Sequence, residues 1–401
     1  MRGLALGCAI AWTVTAGFVT RPAFAAALAF EPTTSVRLPN NDADGFVAGD
    51  FNGDGRADLA VWQSGTRNVY TLLGNGDGTF APPASALRLD VFSGAATGDV
   101  NGDGFGDVVF IAEPQSAASV YYGDPGGALT AGPRYDISLR YGTALADLNR
   151  DGHPDLITTK YSDVQVRLND GRGAFGEPVP YTAANTLGRI VVGDFNRDGN
   201  PDVATTDLGS YQVVVLPGRG DGTLEPARSF HSNVPDTRNP ALADFDRDGR
   251  LDVAVAGGRG DSIEIQFGAG DGNLERPTTL VVGGRPENLA AGDFNGDGLN
   301  DLATFDMADG TLRFLAGRGD GTFAPPESYA TPREPTFDWS RHFLSADFNG
   351  DGRPDVATLT DAGYLGVQVG VPEPGMALFS AIAAAGMLRR RRRTAAAPPR
   401  A

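Results

Sequence analysis

Aspartates at fixed spacing are the chemically most specific feature of this sequence. Asp50-Phe51-Asn52-Gly53-Asp54-Gly55-Arg56-Ala57-Asp58 returns in kind at 99–107, 147–155, 194–202, 244–252, 293–301 and 347–355. Every copy has Asp at positions 1, 5 and 9, Gly at position 6, and Asn or Asp at position 3. A hard divalent cation takes about six to eight oxygen ligands, and alternate side chains of a tight loop can point at one centre. Positions 1, 3 and 5 then converge, Gly at position 6 permits the sharp turn, the carbonyl of position 7 adds an oxygen, and Asp at position 9 closes the shell.

The candidate ligands follow loop by loop. They are Asp50, Asn52, Asp54, Arg56 and Asp58 in the first, and Asp99, Asn101, Asp103, Phe105 and Asp107 in the second. The third offers Asp147, Asn149, Asp151, His153 and Asp155, and the fourth Asp194, Asn196, Asp198, Asn200 and Asp202. The fifth has Asp244, Asp246, Asp248, Arg250 and Asp252, and the sixth Asp293, Asn295, Asp297, Leu299 and Asp301. The seventh has Asp347, Asn349, Asp351, Arg353 and Asp355. In each set the fourth residue named serves through its main-chain carbonyl. No His or Cys stands at a side-chain ligand position, which argues against zinc, copper and iron. A flexible all-protein cage disfavours magnesium, so calcium, up to seven ions, is the expected cofactor. A set of merely solvated acidic turns is the alternative.

Charge points the same way. The chain carries 33 basic and 50 acidic residues, and the segment 26–375 carries 25 and 50, a net charge of −25. Nucleic acid and anionic membrane are poor partners for such a surface, and multivalent cations are good ones. The loops hold 22 carboxylates, and seven divalent ions would bring that segment to −11.

Something must hold these loops at equal intervals. Their starts lie 49, 48, 47, 50, 49 and 54 residues apart. About 25 residues after each of most loops comes a Gly-rich turn, such as Gly74-Asn75-Gly76-Asp77-Gly78-Thr79-Phe80, with kin at 218–224, 268–274 and 317–323 and looser forms at 123–129 and 169–175. These are hairpin signals. The first repeat predicts strands at 45–49, 59–62, 69–73 and 80–89, the content of one four-stranded propeller blade. Position 2 of each loop is Phe, Val or Leu, which reads as a core plug. With 55 Gly, 27 Pro and 41% apolar residues, the composition suits turns and strands better than helices or disorder.

The seventh repeat stops near Val369 without its turn and fourth strand, while Leu28 to Arg37 reads like the missing piece. The prediction is an all-β, seven-bladed propeller closed by the N-terminal strand, with an open solenoid as the competitor. Three Arg-Gly-Asp tripeptides, at 219–221, 259–261 and 318–320, read as turn chemistry rather than an adhesion motif.

The loops and the Gly-Asp-Gly-Thr-Phe turns resemble FG-GAP/VCBS repeats, including those of integrin α-subunit propellers, over residues 28–371. The resemblance implies calcium in the loop between the first and second strands of each blade, and ligand recognition on the opposite face. No attached domain is expected, so the resemblance does not imply integrin-like signalling.

Both ends read as addresses. Residues 1–25 have a basic start, an apolar run and Ala23-Phe24-Ala25, the pattern of a cleaved signal peptide, with a membrane anchor as the alternative. The only cysteine, Cys8, lies inside it, so no disulfide is expected in the mature protein. Residues 372–401 follow Val371 with Pro372-Glu373-Pro374, an apolar stretch at 376–388 and arginines at 389–393. This resembles a PEP-CTERM sorting signal. It implies transient membrane contact, processing by an exosortase, and export to the periplasm, cell surface or matrix of a Gram-negative-type bacterium. A tail anchor is the alternative.

The expected function is non-enzymatic binding of an extracellular glycan or protein by a monomer. The long sixth-to-seventh interval offers Trp339, Arg341 and His342 as a recognition patch, or an aromatic tuck over the blade edge. The competing class is a polysaccharide lyase. His153, His231 and His342 are widely separated, and no nucleophile motif accompanies them.

Overall fold

The computed structural model describes residues 29–30, 34–38, 43–63, 65–88, 94–112, 117–137, 142–330, 343–359 and 364–371. Among them all regular structure is strand, arranged as seven four-stranded antiparallel sheets and one two-stranded ribbon. Blade 1 is Gly45–Gly49, Asp58–Gln63, Asn68–Leu72 and Ala84–Arg88, each strand paired with the next. The first strands of consecutive blades touch in an unbroken cycle that returns from blade 7 to blade 1. The fold is a closed seven-bladed propeller.

Closure works as the sequence predicts. Blade 7 takes Phe343–Ala346, Asp355–Leu359 and Tyr364–Gln368 from one end of the chain and Thr34–Arg37 from the other. Ala29–Phe30 also pairs with Gly370–Val371. That contact repeats, across the chain ends, the isolated bridge between Gly74 and Phe80 in blade 1. One boundary differs from expectation. The fourth strand of blade 1 begins at Ala84 rather than Phe80, because Pro82 and Pro83 have no N–H to give to a ladder.

Burial is graded from the middle of each blade. Second strands such as Asp58–Gln63 and Asp107–Ala112 are buried along their whole length, since a neighbouring blade covers each face. Outer strands such as Leu274–Val281 are largely exposed. First strands use small residues, as in Gly94–Gly98, where seven strands crowd the axis.

There is no single core. The buried apolar residues sort into seven clusters, each at one blade–blade interface. The interface of blades 7 and 1 holds Phe348, Leu365 and Val367 with Phe46, Leu59 and Leu72. The position 2 residues sit in these seams, all at most 2% exposed. Phe80 and Phe348 meet edge to face at 5.7 Å across the closing seam.

Candidate metal centres

All seven acidic loops lie between the first and second strands of their blades, hence on one edge of the ring. Four internal hydrogen bonds recur in all seven. The position 5 N–H donates to Oδ1 of position 1 at 3.0–3.2 Å. The same N–H also donates to Oδ1 of position 3 at 2.9–3.3 Å. Gly at position 6 donates to the second oxygen of position 1 at 2.8–2.9 Å. Position 7 donates to Oδ1 of position 5 at 2.8–3.0 Å. One shared donor thus brings the oxygens of positions 1 and 3 together, and in loops 2, 6 and 7 the position 4 glycine N–H donates to Oδ1 of position 1 as well, at 2.7 Å.

The turn depends on backbone handedness. Gly at position 6 has φ of 79–89° in every loop. At Gly55, Gly104 and Gly152 an added Cβ would meet nothing within 4 Å, so it is the positive φ that demands glycine. Position 4 also has positive φ, yet Arg150, Arg197 and Arg247 occupy it in three loops. Arg150 reaches the next blade, donating to Asn200 Oδ1 at 3.3 Å.

Position 9 is the hub. Asp58, Asp107, Asp155, Asp202, Asp252, Asp301 and Asp355 open the second strands and are 0% exposed. One oxygen of each accepts the position 2 N–H at 2.8–3.1 Å. The other accepts an N–H from the end of the third strand or just beyond it, such as Gly74, at 2.7–2.9 Å. One carboxylate therefore ties loop, strand and hairpin into a unit. The position 2 carbonyl then accepts a hairpin glycine N–H from the following blade, as in Gly222 to Leu148 and Gly78 to Phe348.

Burial pushes the position 9 carboxyls up, to about 6 for Asp58, Asp107, Asp155, Asp202 and Asp355 and to about 7 for Asp252 and Asp301. The carboxylates at positions 1 and 5, or 1 and 3 in the fifth loop, raise them further, while the N–H bonds work against the rise. The hairpin aspartates show the contrast. The Thr79, Thr223 and Thr322 hydroxyls hold Asp77, Asp221 and Asp320 below the usual carboxylate range. Burial thus disfavours charge on the position 9 acids, and hydroxyl hydrogen bonds favour it on the hairpin acids.

The donor set fits a hard cation: oxygens only, preformed by backbone hydrogen bonds, around a buried carboxylate that favours charge compensation. In the fifth loop Asp244, Asp246 and Asp252 each offer a carboxylate oxygen, all within 4.8 Å of one another.

Position 7 has a side-chain role that the ligand reading overlooks. His153 packs over the hairpin, where a Cβ on Gly171 would sit 2.6 Å from its Nε2. Arg56 and Arg250 lie likewise against Gly76 and Gly270. His153 is therefore a packing residue, and His231 is exposed at the far end of an outer strand. Two Arg-Gly-Asp triplets sit in hairpins with Gly220 and Gly319 at φ of 71° and 69°. Trp339, Arg341 and His342, the segment 1–25 and the tail 372–401 lie outside the described residues.

On the opposite edge the structure exposes aromatics that carry no sequence motif. Tyr161 and Tyr211, on the hairpins of blades 3 and 4, are 55% and 37% exposed. Both have left-handed backbones, with φ of 51° and 54°. Their carbonyls accept Leu187 N–H at 3.0 Å and Ser232 N–H at 2.9 Å from the next connection, which fixes the hairpin tips.

Comparison with known proteins agrees with this geometry. No curated protein sequence matches significantly. Among solved structures, an Agrocybe aegerita lectin that recognises non-reducing terminal N-acetylglucosamine is 21% identical, covers 74% of this chain and 80% of its own, with a TM-score of 0.53. BBS1N, solved in complex with ARL6DN, is 12% identical over 86% of this chain and 98% of its own, with a TM-score of 0.61. Virginiamycin B lyase from Staphylococcus aureus is 13% identical over 85% and 99%, with a TM-score of 0.53. At these identities the likeness is one of fold. The FG-GAP-like repeat pattern matches six overlapping segments, 50–110, 99–158, 147–205, 194–255, 244–304 and 293–358. These matches run through most of the chain, which therefore belongs to the FG-GAP-like repeat family.

Proposed function

We propose that this protein is an exported, calcium-loaded propeller that binds an extracellular glycan or protein without catalysing a reaction. The observation that carries the calcium part is the sevenfold repetition of one all-oxygen cage with the same hydrogen bonds in every blade. Side chains at positions 1, 3, 5 and 9 and the position 7 carbonyl hold the ion in each. When bound, calcium supplies the positive charge that the buried position 9 carboxylates need.

Recognition belongs to the opposite edge, where connections vary and Tyr161 and Tyr211 offer flat aromatic surface for a sugar ring or an apolar side chain. A lectin of this fold supports a saccharide as the first ligand class to test. Export rests on residues 1–25 and 372–401, the latter read as a PEP-CTERM-type signal for an exosortase. No helix of the described residues is long and apolar enough to cross a membrane.

A glycan array probed with the calcium-loaded protein tests the reading. Retention on defined saccharides, weakened by Tyr161→Ser or Tyr211→Ser, is expected. Cleavage of an acidic polysaccharide by the same preparation contradicts it.

A further inference from the structure

The fifth blade carries two residues found at their positions in no other blade, and the two meet. Position 3 is Asp246, where the other six loops have Asn. Two residues after the hairpin's closing Leu274 stands Arg276, where blades 1, 4 and 6 have Pro82, Pro226 and Pro325. Arg276 Nη2 lies 3.0 Å from Asp246 Oδ2.

The surroundings are built for this contact. Arg276 has φ of 47° and sits at a break in strand register between the pairs of Ile265 and Phe267. A bulge of this kind re-aims a side chain. The guanidinium carbon rests 4.8 Å from the centre of the Phe267 ring, so the cation is held by the ring as well as by the carboxylate.

The exchange follows from the chemistry of position 3. In loops 1, 2, 3, 4 and 6 the Asn amide donates to Oδ2 of the position 5 Asp at 2.8–3.2 Å. Asp246 has no such hydrogen to give. Its Oδ1 still accepts the Asp248 N–H at 3.3 Å, as an Asn Oδ1 does. Its Oδ2 takes Arg276 instead, and Asp248 Oδ2 takes Arg250 at 3.2 Å. Two guanidiniums thus stand where one amide hydrogen bond serves in loops 2, 3, 4 and 6; loop 1 adds Arg56 at 3.7 Å to its amide bond, and in loop 7 Arg353 reaches Asp351 Oδ2 at 2.8 Å. In the fifth loop the carboxylates at positions 3 and 5 are kept from facing each other bare.

We propose that Arg276 is a tethered counter-cation of the fifth loop, which holds its four carboxylates in the cation-ready shape and lowers their affinity for a divalent or trivalent metal. The affinity half of this proposal rests on the calcium reading above. An ionic pair of this exposure changes an equilibrium by about twofold to fivefold.

Five proteins test it: the native chain, Arg276→Ala, Asp246→Asn, both together, and Arg276→Lys. Crystals soaked at graded terbium concentrations give the occupancy of each loop by anomalous scattering, and the six other loops serve as internal controls. Arg276→Ala is expected to half-fill the fifth loop at about twofold to fivefold lower terbium, with the others unchanged. In chelator, Arg276→Ala is expected to lower the melting temperature, and in the Asp246→Asn background to lower it less. Arg276→Lys, which keeps the charge, is expected to restore part of the native behaviour. Unchanged or weaker terbium uptake at the fifth loop, or equal melting losses in both backgrounds, overturns the proposal. Failure of the calcium reading has a different signature, namely no metal in any loop of the native protein. The affinity half then falls with it, and the melting cycle in chelator decides the structural half.

Discussion

The two edges of this ring are made by opposite rules. The acidic edge is written seven times in nearly the same residues, and each copy repeats the same hydrogen bonds to within a few tenths of an ångström. The other edge differs from blade to blade. Its hairpins range from the tight Tyr161-Ser162 turn to the longer Asp207–Gln212 connection. Repetition on one edge suits a task every blade shares, the tying of loop, strand and hairpin around a buried carboxylate. Variation on the other suits a surface selected by its partner.

This contrast predicts where damage is severe. Removing residues 26–38 would strip the fourth strand from blade 7 and leave Tyr364–Gln368 as an open edge. We expect the largest loss here: a lowered melting temperature and concentration-dependent association, read by calorimetry and light scattering. A truncation that melts like the parent breaks the closure argument.

Next come the position 9 aspartates. Asp58→Ala leaves the Phe51 and Gly74 N–H groups without their acceptor in a buried site. Each orphaned group costs about 1–3 kcal/mol, so denaturant unfolding should show a loss of about 2–6 kcal/mol. On the other edge, Asp163→Ala removes a partly exposed carboxylate that, among the described residues, accepts the Ser162 and Thr182 hydroxyls. Its change should stay within about 0.5 kcal/mol. Equal losses at the two sites would abolish the distinction between the edges.

A third expectation concerns pH without calcium. The position 9 carboxyls titrate near 6 to 7 in the folded protein but near 3.8 as free groups, so between those values the native state binds more protons than the unfolded one. Their contribution is fully present below about pH 4 and is lost as pH rises through 6 to 7. In chelator, stability should therefore fall over that window. In saturating calcium, which favours the ionised form, the fall should shrink, and calcium uptake should release protons. A chelated protein that gains stability from pH 4 to pH 7 contradicts the account of the hub.

The smallest effect on stability is expected at Tyr161 and Tyr211. Replacing either with Gly relieves a left-handed backbone but gives up the part of the ring that the fold covers, so the two effects oppose each other and melting should move little. Ligand capture should suffer instead. Loss of stability without loss of binding would make these residues structural.

Much of the acidic edge was legible in the sequence, and little of the other. Asp, Asn and Gly at fixed positions declare their roles because one oxygen geometry and one positive φ admit few alternatives, and the interval between copies counts the blades. Phe348 and its equivalents read correctly as plugs for the same reason. The hidden features depend on who faces whom. Nothing local in Arg276 points to Asp246, which lies 30 residues earlier. Nothing in His153 announces Gly171 beneath it, so position 7 looked like a carbonyl alone. The tyrosines at positive φ carry no motif, since their conformation is set by hydrogen bonds from the following connection.

The central claim is that calcium fills the seven loops and holds the blades together. A paired thermal melt, in millimolar calcium and in chelator, with bound ions counted by native mass spectrometry, tests it most directly. Uptake approaching seven ions and a melting temperature higher by about 10 °C or more in calcium is the expected result. The same melting temperature in both buffers, with no ions retained, would contradict it.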